Sequence, residues 1–331
     1  MDHTSAVSMP ESERVARLTP PDPAAGPVSM VLDTDTYNEI DDQFALAYAL
    51  LSPDRLRVEA VYAAPFQNER AGSPGEGMRQ SREEIGRVYE RLGGGDHPPA
   101  LGGSEAWVTD TGASVPSPAR DDLIERAMGR DPDGPPLYVV AIGAATNVAS
   151  ALMHAPEIAA RVVVVWLGGH PVYWPNQSEF NLRGDPAAAR VLFDAGVPLV
   201  HVPCANVAQK LRSSVPELRH HLAGRNALCD FLVQRYAEYE GYETPKKQGW
   251  NAGRPIAYGK EVWDVAPVAW LVDPAWSRSV LRPSPVLTDH QTLSFDPGRH
   301  LIRQLEDLNR DAVFGDLFAK LAAAPPPAAQ R

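Results

Sequence analysis

The chain has 331 residues, 44% of them hydrophobic, enough to bury a large core. Its net charge of -11 lacks the basic footprint of a nucleic-acid binder, and no basic amphipathic segment points to an anionic membrane surface. Cys204 and Cys229 are the only cysteines, so no disulfide framework is implied. No apolar run is long enough to span a bilayer, and the first residues lack the charged start and apolar core of a secretory signal. The expectation is a cytoplasmic protein in a reducing compartment.

Residues 1–27 are polar and rich in proline and are expected to form a flexible arm; residues 323–331 (AAPPPAAQR) are expected to form a disordered tail. Between them the chain alternates strand-like and helix-like segments. Val28 to Leu32 is short, apolar and bounded by Pro27 and acids, which predicts a buried strand. A helix is predicted from Asp41 onward, with Asp near its start favoured by the helix dipole. Arg55 to Ala63 predicts a strand and Met78 to Leu92 an amphipathic helix. Leu137 to Ile142 and Arg161 to Leu167 predict strands, the second apolar on both faces. A helix is predicted over Thr146 to Met153, and Asp185-Pro186 opens another, with Asp as its cap. Pro198 to Val202 is the next strand, and a helical stretch from Val215 to Tyr242 is expected as a side layer or lid. This order predicts an α/β fold in which a mostly parallel central sheet is flanked by helices, in one domain.

Asp33, Asp35, Asp41 and Asp42, with Glu39 beside them, collect between a strand end and a helix start. Open α/β sheets place ligands there. Several like charges in one crevice repel unless something cationic sits among them, and a divalent metal is the simplest answer. The short pattern MVLDTDT also matches the nucleophile signature of haloacid dehalogenase-type magnesium phosphohydrolases, with Asp33 as nucleophile and Asp35 as acid/base. That match leaves the Asp41-Asp42 pair unexplained.

Four segments taken together carry a wider resemblance: DTDTYNEIDDQFALAYALL from Asp33, IGAATNVASAL over 142–152, NQSEFNLRGDPAAARVLFDAG over 176–196 and VWDVAPVAWL over 262–271. In this order they resemble the signature segments of the nucleoside hydrolases, implying a nucleoside-hydrolase-like, Rossmann-related catalytic domain over residues 28–322. The resemblance implies calcium-dependent hydrolysis of the N-glycosidic bond of ribonucleosides, giving free base and ribose. It further implies a homodimer or homotetramer. Asp35 matches a calcium ligand that also serves as general base for the attacking water. Asp42, Asp264 and the Ile142 main-chain carbonyl match further metal ligands, whereas Asp33 matches a supporting acid. Asp41, Glu179 and Asn181 match groups that hold the ribose, and Asn38, Asn68 and Asn176 are placed with them in the substrate-binding set.

The chemistry asks for such groups independently. Calcium takes carboxylate, carbonyl and water oxygens. Cleavage through an oxocarbenium-like state needs an oriented water and a carboxylate to take its proton. The sequence also departs from the family pattern. Asp35 and Asp42 stand seven positions apart, two more than usual, and the Pro-Gly turn is absent, so the loop is expected to bulge and bring Asn38 or Glu39 toward the pocket. Trp263 stands where many members carry a His that protonates the leaving base. Purine-preferring members have Trp there, so Trp263 implies a purine preference and His170 becomes the candidate proton donor. The missing His and stretched loop also leave room for a non-catalytic relative that binds ribosyl ligands.

More ordinary roles stand beside these. Trp263 suits a core position equally well, and Asp185 suits a helix cap. Tyr37, Trp174 and Trp250 are possible pocket aromatics. Asn147 is expected to bond at a helix start, His220 and His221 to face solvent, and both cysteines to be ordinary buried thiols.

Overall fold

The computed structural model describes residues 9–93, 96–239 and 259–326. In chain order the elements are α1 (Glu11–Arg17), β1 (Val28–Thr34), α2 (Asp42–Leu50), β2 (Leu56–Ala63), α3 (Pro74–Tyr89), β3 (Ala100–Gly102), α4 (Val108–Thr111), α5 (Pro118–Met128), β4 (Leu137–Ala141) and α6 (Thr146–His154). There follow β5 (Val162–Leu167), α7 (Phe180–Gly184), α8 (Pro186–Asp194), β6 (Leu199–Val202), β7 (Arg212–Ser214), α9 (Val215–Leu222), α10 (Ala227–Glu238), β8 (Gly259–Glu261) and α11 (Val265–Val272). The chain continues through β9 (Ser277–Pro283), β10 (Val286–Leu287), β11 (Leu293–Ser294), β12 (Leu301–Leu308) and α12 (Arg310–Ala322).

Eight strands form one sheet in the order β3-β2-β1-β4-β5-β6-β12-β9. All neighbours are parallel except β12 and β9, so the predicted α/β fold with a mostly parallel sheet is observed. Successive strand residues alternate between two core clusters. Val163, Val165 and Leu167 enter one cluster with helices α2, α11 and α12, while Val162, Val164 and Trp166 enter the other with α5, α6 and α8. Both faces of the sheet are therefore covered, which is why its central strands are apolar throughout.

The chain leaves β1 toward β2 and β3, then returns to β4 on the other side of β1. That reversal opens a crevice beyond the C-terminal ends of β1 and β4, between connections that depart in opposite directions. The acid segment follows β1 and Ile142 follows β4, so the topology itself carries both to one place.

Several boundaries differ from expectation. Part of the anticipated N-terminal arm is folded: residues 11–17 are helical, Leu18 is fully buried, and Glu11 accepts from the Leu301 N–H of β12. A buried apolar residue and a backbone donor at the start of β12 outweigh the proline-rich composition around them. At the other end, Ala324 is buried and the Pro325 carbonyl accepts from Gly93 N–H. Helix α3 starts earlier than predicted because Ser73 caps it by accepting from Glu76 N–H and Pro74 occupies the first turn. The stretch from Val215 divides into α9 and α10 at Gly224, whose φ of +73° favours glycine; residues after 239 and Trp250 lie outside the described residues.

Asp185 caps α8, as its Asp-Pro pair implied, by accepting from Ala188 N–H. Its buried carboxylate also accepts from Val108 N–H, Thr109 N–H, Thr109 Oγ1 and Thr146 Oγ1, tying α4 and α6 to α8. A helix cap alone is worth about 1 kcal/mol. With buried donors from three helices left unpaired, Asp185→Ala is expected to lower stability by about 3 kcal/mol or more in a denaturant titration. A loss near the capping value would show that the neighbouring helices do not depend on it.

Candidate active site

The acids are placed by two helix starts and one strand end. β1 ends in Thr34, and Asn38 N–H then bonds back to the Asp35 carbonyl at 2.7 Å, closing the first turn of the loop. The loop delivers Asp41 and Asp42 to the start of α2, while Asp264 immediately precedes α11. Neither Asp41 nor Asp264 caps its helix with its side chain. Asp41 instead accepts from the Asp264 N–H at 3.3 Å, linking the two helix starts, and Asp42 accepts from Thr34 Oγ1 at 2.5 Å. Ligand oxygens of Asp41, Asp42 and Asp264 all lie within 4.8 Å of one another. A cavity of about 220 Å³ is lined by these three residues together with Asp35, Ile142, His170, Glu179, Asn181 and Trp263.

The predicted residues converge, with some reassignment. Asp41, placed by the resemblance among the ribose-holding groups, stands in the carboxylate triad, whereas Asp35 faces the same cavity beside it. Glu179 caps α7: its carboxylate accepts from Gly169, Asn181 and Leu182 N–H groups at 2.8–3.1 Å. Asn181 Nδ2 donates to the Ile142 and Leu167 carbonyls, clamping the ends of β4 and β5. Gly169 has a φ of +64°, and this left-handed turn carries His170 to the cavity wall. Gly143 matters for a different reason: a Cβ there would stand 3.1 Å from the Asp35 carboxyl group, a tight contact that would press on it.

Two members of the substrate-binding set fall outside the cavity. Asn176 is exposed, its side chain accepting from Ser178 N–H in a local turn; the buried neighbour Gln177 points inward and accepts from His170 N–H. Asn68 does not line the cavity and reaches it through Asn38, whose Oδ1 accepts from Asn68 Nδ2 at 2.8 Å. Asn38 and Glu39 both line the cavity, as the long loop suggested, and also wall a neighbouring hollow of about 270 Å³ that contains Tyr37. Trp263 packs against the core and lines the cavity at once. Trp174 lies against His170, with ring centroids 5.5 Å apart, and His220 and His221 are exposed. Asn147 bonds Ser104 and Asp33 rather than its own helix start.

Lys260 was not singled out from the sequence. It is almost fully buried, forms an ion pair with Glu39, and places its ammonium 4.0 Å from the Trp263 ring centroid. The sequence signal available was a lysine four positions before Asp264; only the pairing of β7 with β8 brings it back against the acid loop.

Burial dominates the electrostatics. It raises Asp35 and Asp264 well above the usual carboxylate range, reinforced by repulsion from neighbouring acids. Asp42 is pushed up to about 7 by burial and Asp41, against the Thr34 hydrogen bond. Asp41 is raised by burial and pulled back by Lys260. Asp35 Oδ2 is buried without a hydrogen-bond partner. An orphaned oxygen beside three clustered carboxylates and a main-chain carbonyl, with neither His nor Cys in the cluster, fits a hard oxygen-seeking cation. His170 has its pKa lowered by burial and is therefore neutral at pH 7; its Nδ1 is buried without a partner.

Asp33 lies beneath the cavity, fully buried, accepting from Asn147 Nδ2 at 2.8 Å. That position removes the phosphohydrolase reading, which needs Asp33 exposed as a nucleophile. Burial raises Asp33 to about 7 against the Asn147 bond, so the folded state holds a proton that the unfolded chain releases near pH 4. Its contribution to stability is full below pH 4 and is lost as pH rises to about 7. Asp33→Asn, which keeps the acceptor for Asn147, should match the parent near pH 4 in chelator. It should exceed the parent at pH 8 by on the order of 4 kcal/mol. Equal pH slopes in the two proteins would refute the assignment.

Residues 30–313 match the family described as inosine-uridine preferring nucleoside hydrolase. The pyrimidine-specific ribonucleoside hydrolase RihA of Citrobacter koseri is 25% identical over 265 residues, covering 73% of this chain and 79% of that protein. The solved structure of a purine-preferring ribonucleoside hydrolase from Gardnerella vaginalis shares the fold at a TM-score of 0.68 and 20% identity, covering 89% of this chain and 98% of the other. A plant nucleoside hydrolase, PpNRh1, aligns at a TM-score of 0.67 and 20% identity, over 90% and 99% of the two chains. The chain belongs to the inosine-uridine preferring nucleoside hydrolase family and is an N-ribohydrolase.

Proposed function

We propose that the enzyme hydrolyses the N-glycosidic bond of ribonucleosides in a calcium-dependent reaction, releasing free base and ribose, with purine nucleosides preferred. The observation that carries this reading is the convergence of Asp35, Asp41, Asp42 and Asp264 on one cavity that Glu179 and Asn181 also line. Asp35, Asp42, Asp264 and the Ile142 carbonyl would hold the cation, with Asp41 added because its carboxylate clusters with those of Asp42 and Asp264. Calcium, when bound, supplies a fixed positive charge that orients water and sugar hydroxyls.

Asp35 takes the proton of the attacking water, its Oδ2 having no competing donor. Asn181 and the capped Glu179 present a rigid wall to the ribose, and the surrounding carboxylates stabilise positive charge developing on the sugar. His170 stands at the cavity wall, where burial lowers its pKa; the neutral ring can hydrogen-bond the departing base through its N–H while the base takes its proton from solvent. Trp263 offers the base an aromatic surface. The assembly expected with this reading is a homodimer or homotetramer; among the described residues no helix is long and apolar enough to cross a membrane.

A nucleoside panel, monitored for free base and reducing sugar with and without chelator, tests the reaction. Asp35→Asn is expected to lower kcat by roughly 10²–10⁴-fold. Parent-like turnover in that variant would exclude Asp35 as the base. Trp263→Leu should reduce kcat/KM for purine nucleosides by about tenfold, and for pyrimidine nucleosides by less, because loss of base stacking forfeits roughly 1–3 kcal/mol. An equal loss for both classes would remove Trp263 as the source of preference.

A further inference from the structure

The acid loop carries one carboxylate that the proposed chemistry does not use. Glu39 lines the cavity but stands outside the triad of clustered oxygens. It is engaged by Lys260, whose side chain is 1% exposed. The same ammonium lies 4.0 Å from the centroid of Trp263 and 5.1 Å from that of Tyr239. Its backbone is fixed too, because the Tyr236 hydroxyl donates to the Lys260 carbonyl at 2.8 Å. The charge is therefore held between the acid loop, the end of α10 and the residue preceding Asp264. Asp41 feels it strongly enough to offset part of its burial.

A buried ammonium is costly unless paired, and a buried cluster of carboxylates is costly unless neutralised. Each group here meets the other's need. From this geometry we infer that Lys260 is an internal counter-cation and positioning residue: it ties Trp263 to Glu39 of the acid loop and competes with the divalent ion for the field of the neighbouring carboxylates. This inference rests on the metal-dependent reading above. Lys260 holds the cavity in shape without the ion and weakens the ion's binding, while Glu39 strengthens binding through its charge without being a ligand. Because the two charges oppose each other, their effects on metal affinity have opposite signs.

That sign difference provides the test. Calcium binding to the chelator-stripped full chain is measured by calorimetry for the parent, Lys260→Met, Glu39→Gln and the double variant. Removing the positive charge is expected to tighten calcium binding roughly tenfold, and removing the negative charge to weaken it by a similar factor. Removing both should return the affinity close to that of the parent. A purely architectural role predicts weaker binding in both single variants and still weaker binding in the double variant; that pattern overturns the inference. Lys260→Gln, which can still donate to Glu39, is measured in parallel, so that misfolding of the Met variant does not decide the result. A second readout is the melting temperature: Lys260→Met should melt lower than the parent in chelator and gain more from saturating calcium. An unchanged calcium-induced shift counts against the inference. Absence of calcium binding in the parent would instead refute the metal-dependent reading, and the counter-cation role with it.

Discussion

Like charges buried together require compensation, and the site is organised around that requirement. Asp35, Asp41, Asp42 and Asp264 are removed from water by the sheet, by α2 and by α11, and burial is the largest influence on each. The protein offers partial relief through Thr34, the Asp264 N–H and Lys260. The starts of α2 and α11 add the positive ends of two helix dipoles. What remains is a concentration of negative field at one point, a natural seat for a hard divalent cation.

The fold creates this situation through topology. Because the chain reverses direction beside β1, the ends of β1 and β4 open onto one crevice, and Trp263 and Asp264, just before α11, line it too. Asn181 clamps the carbonyls at the ends of β4 and β5, and Glu179 caps the short α7, so this part of the cavity lining is held by hydrogen bonds to backbone. Preorganisation of this kind limits reorganisation during a reaction that develops charge on a sugar. Asp33 and Asn147 lie one layer deeper, joining β1, β2 and α6 beneath the cavity.

Much of this was legible in the sequence, for identifiable reasons. Buried parallel strands have to be apolar on both faces, so VLYVV-like runs marked β1, β4 and β5 within one or two residues of their ends. Ser73-Pro74 and Asp185-Pro186 carry capping chemistry in short range, though only the second was used to place a helix start. The cavity residues Asp35, Asp42, Glu179, Asn181 and Asp264 came from short contiguous patterns. Asn176 falls outside the cavity because a local turn, in which its side chain accepts from Ser178 N–H, leaves it exposed and Gln177 buried. Asn68 was misplaced because its side chain stops at Asn38. The folded start of the chain was missed because its helix is held by contacts with β12, almost 290 residues away.

The sequence alone determined the class of sheet, the family and the existence of an acid-rich site at a strand end, because each depends on periodicity or on short contiguous motifs. Only the tertiary structure decided which acids share a centre, that Asp33 lies beneath rather than within the cavity, and that Lys260 stands among the carboxylates. Those facts depend on distances between segments separated by some 200 positions, and such distances are set by how helices pack on the sheet rather than by anything local to either segment.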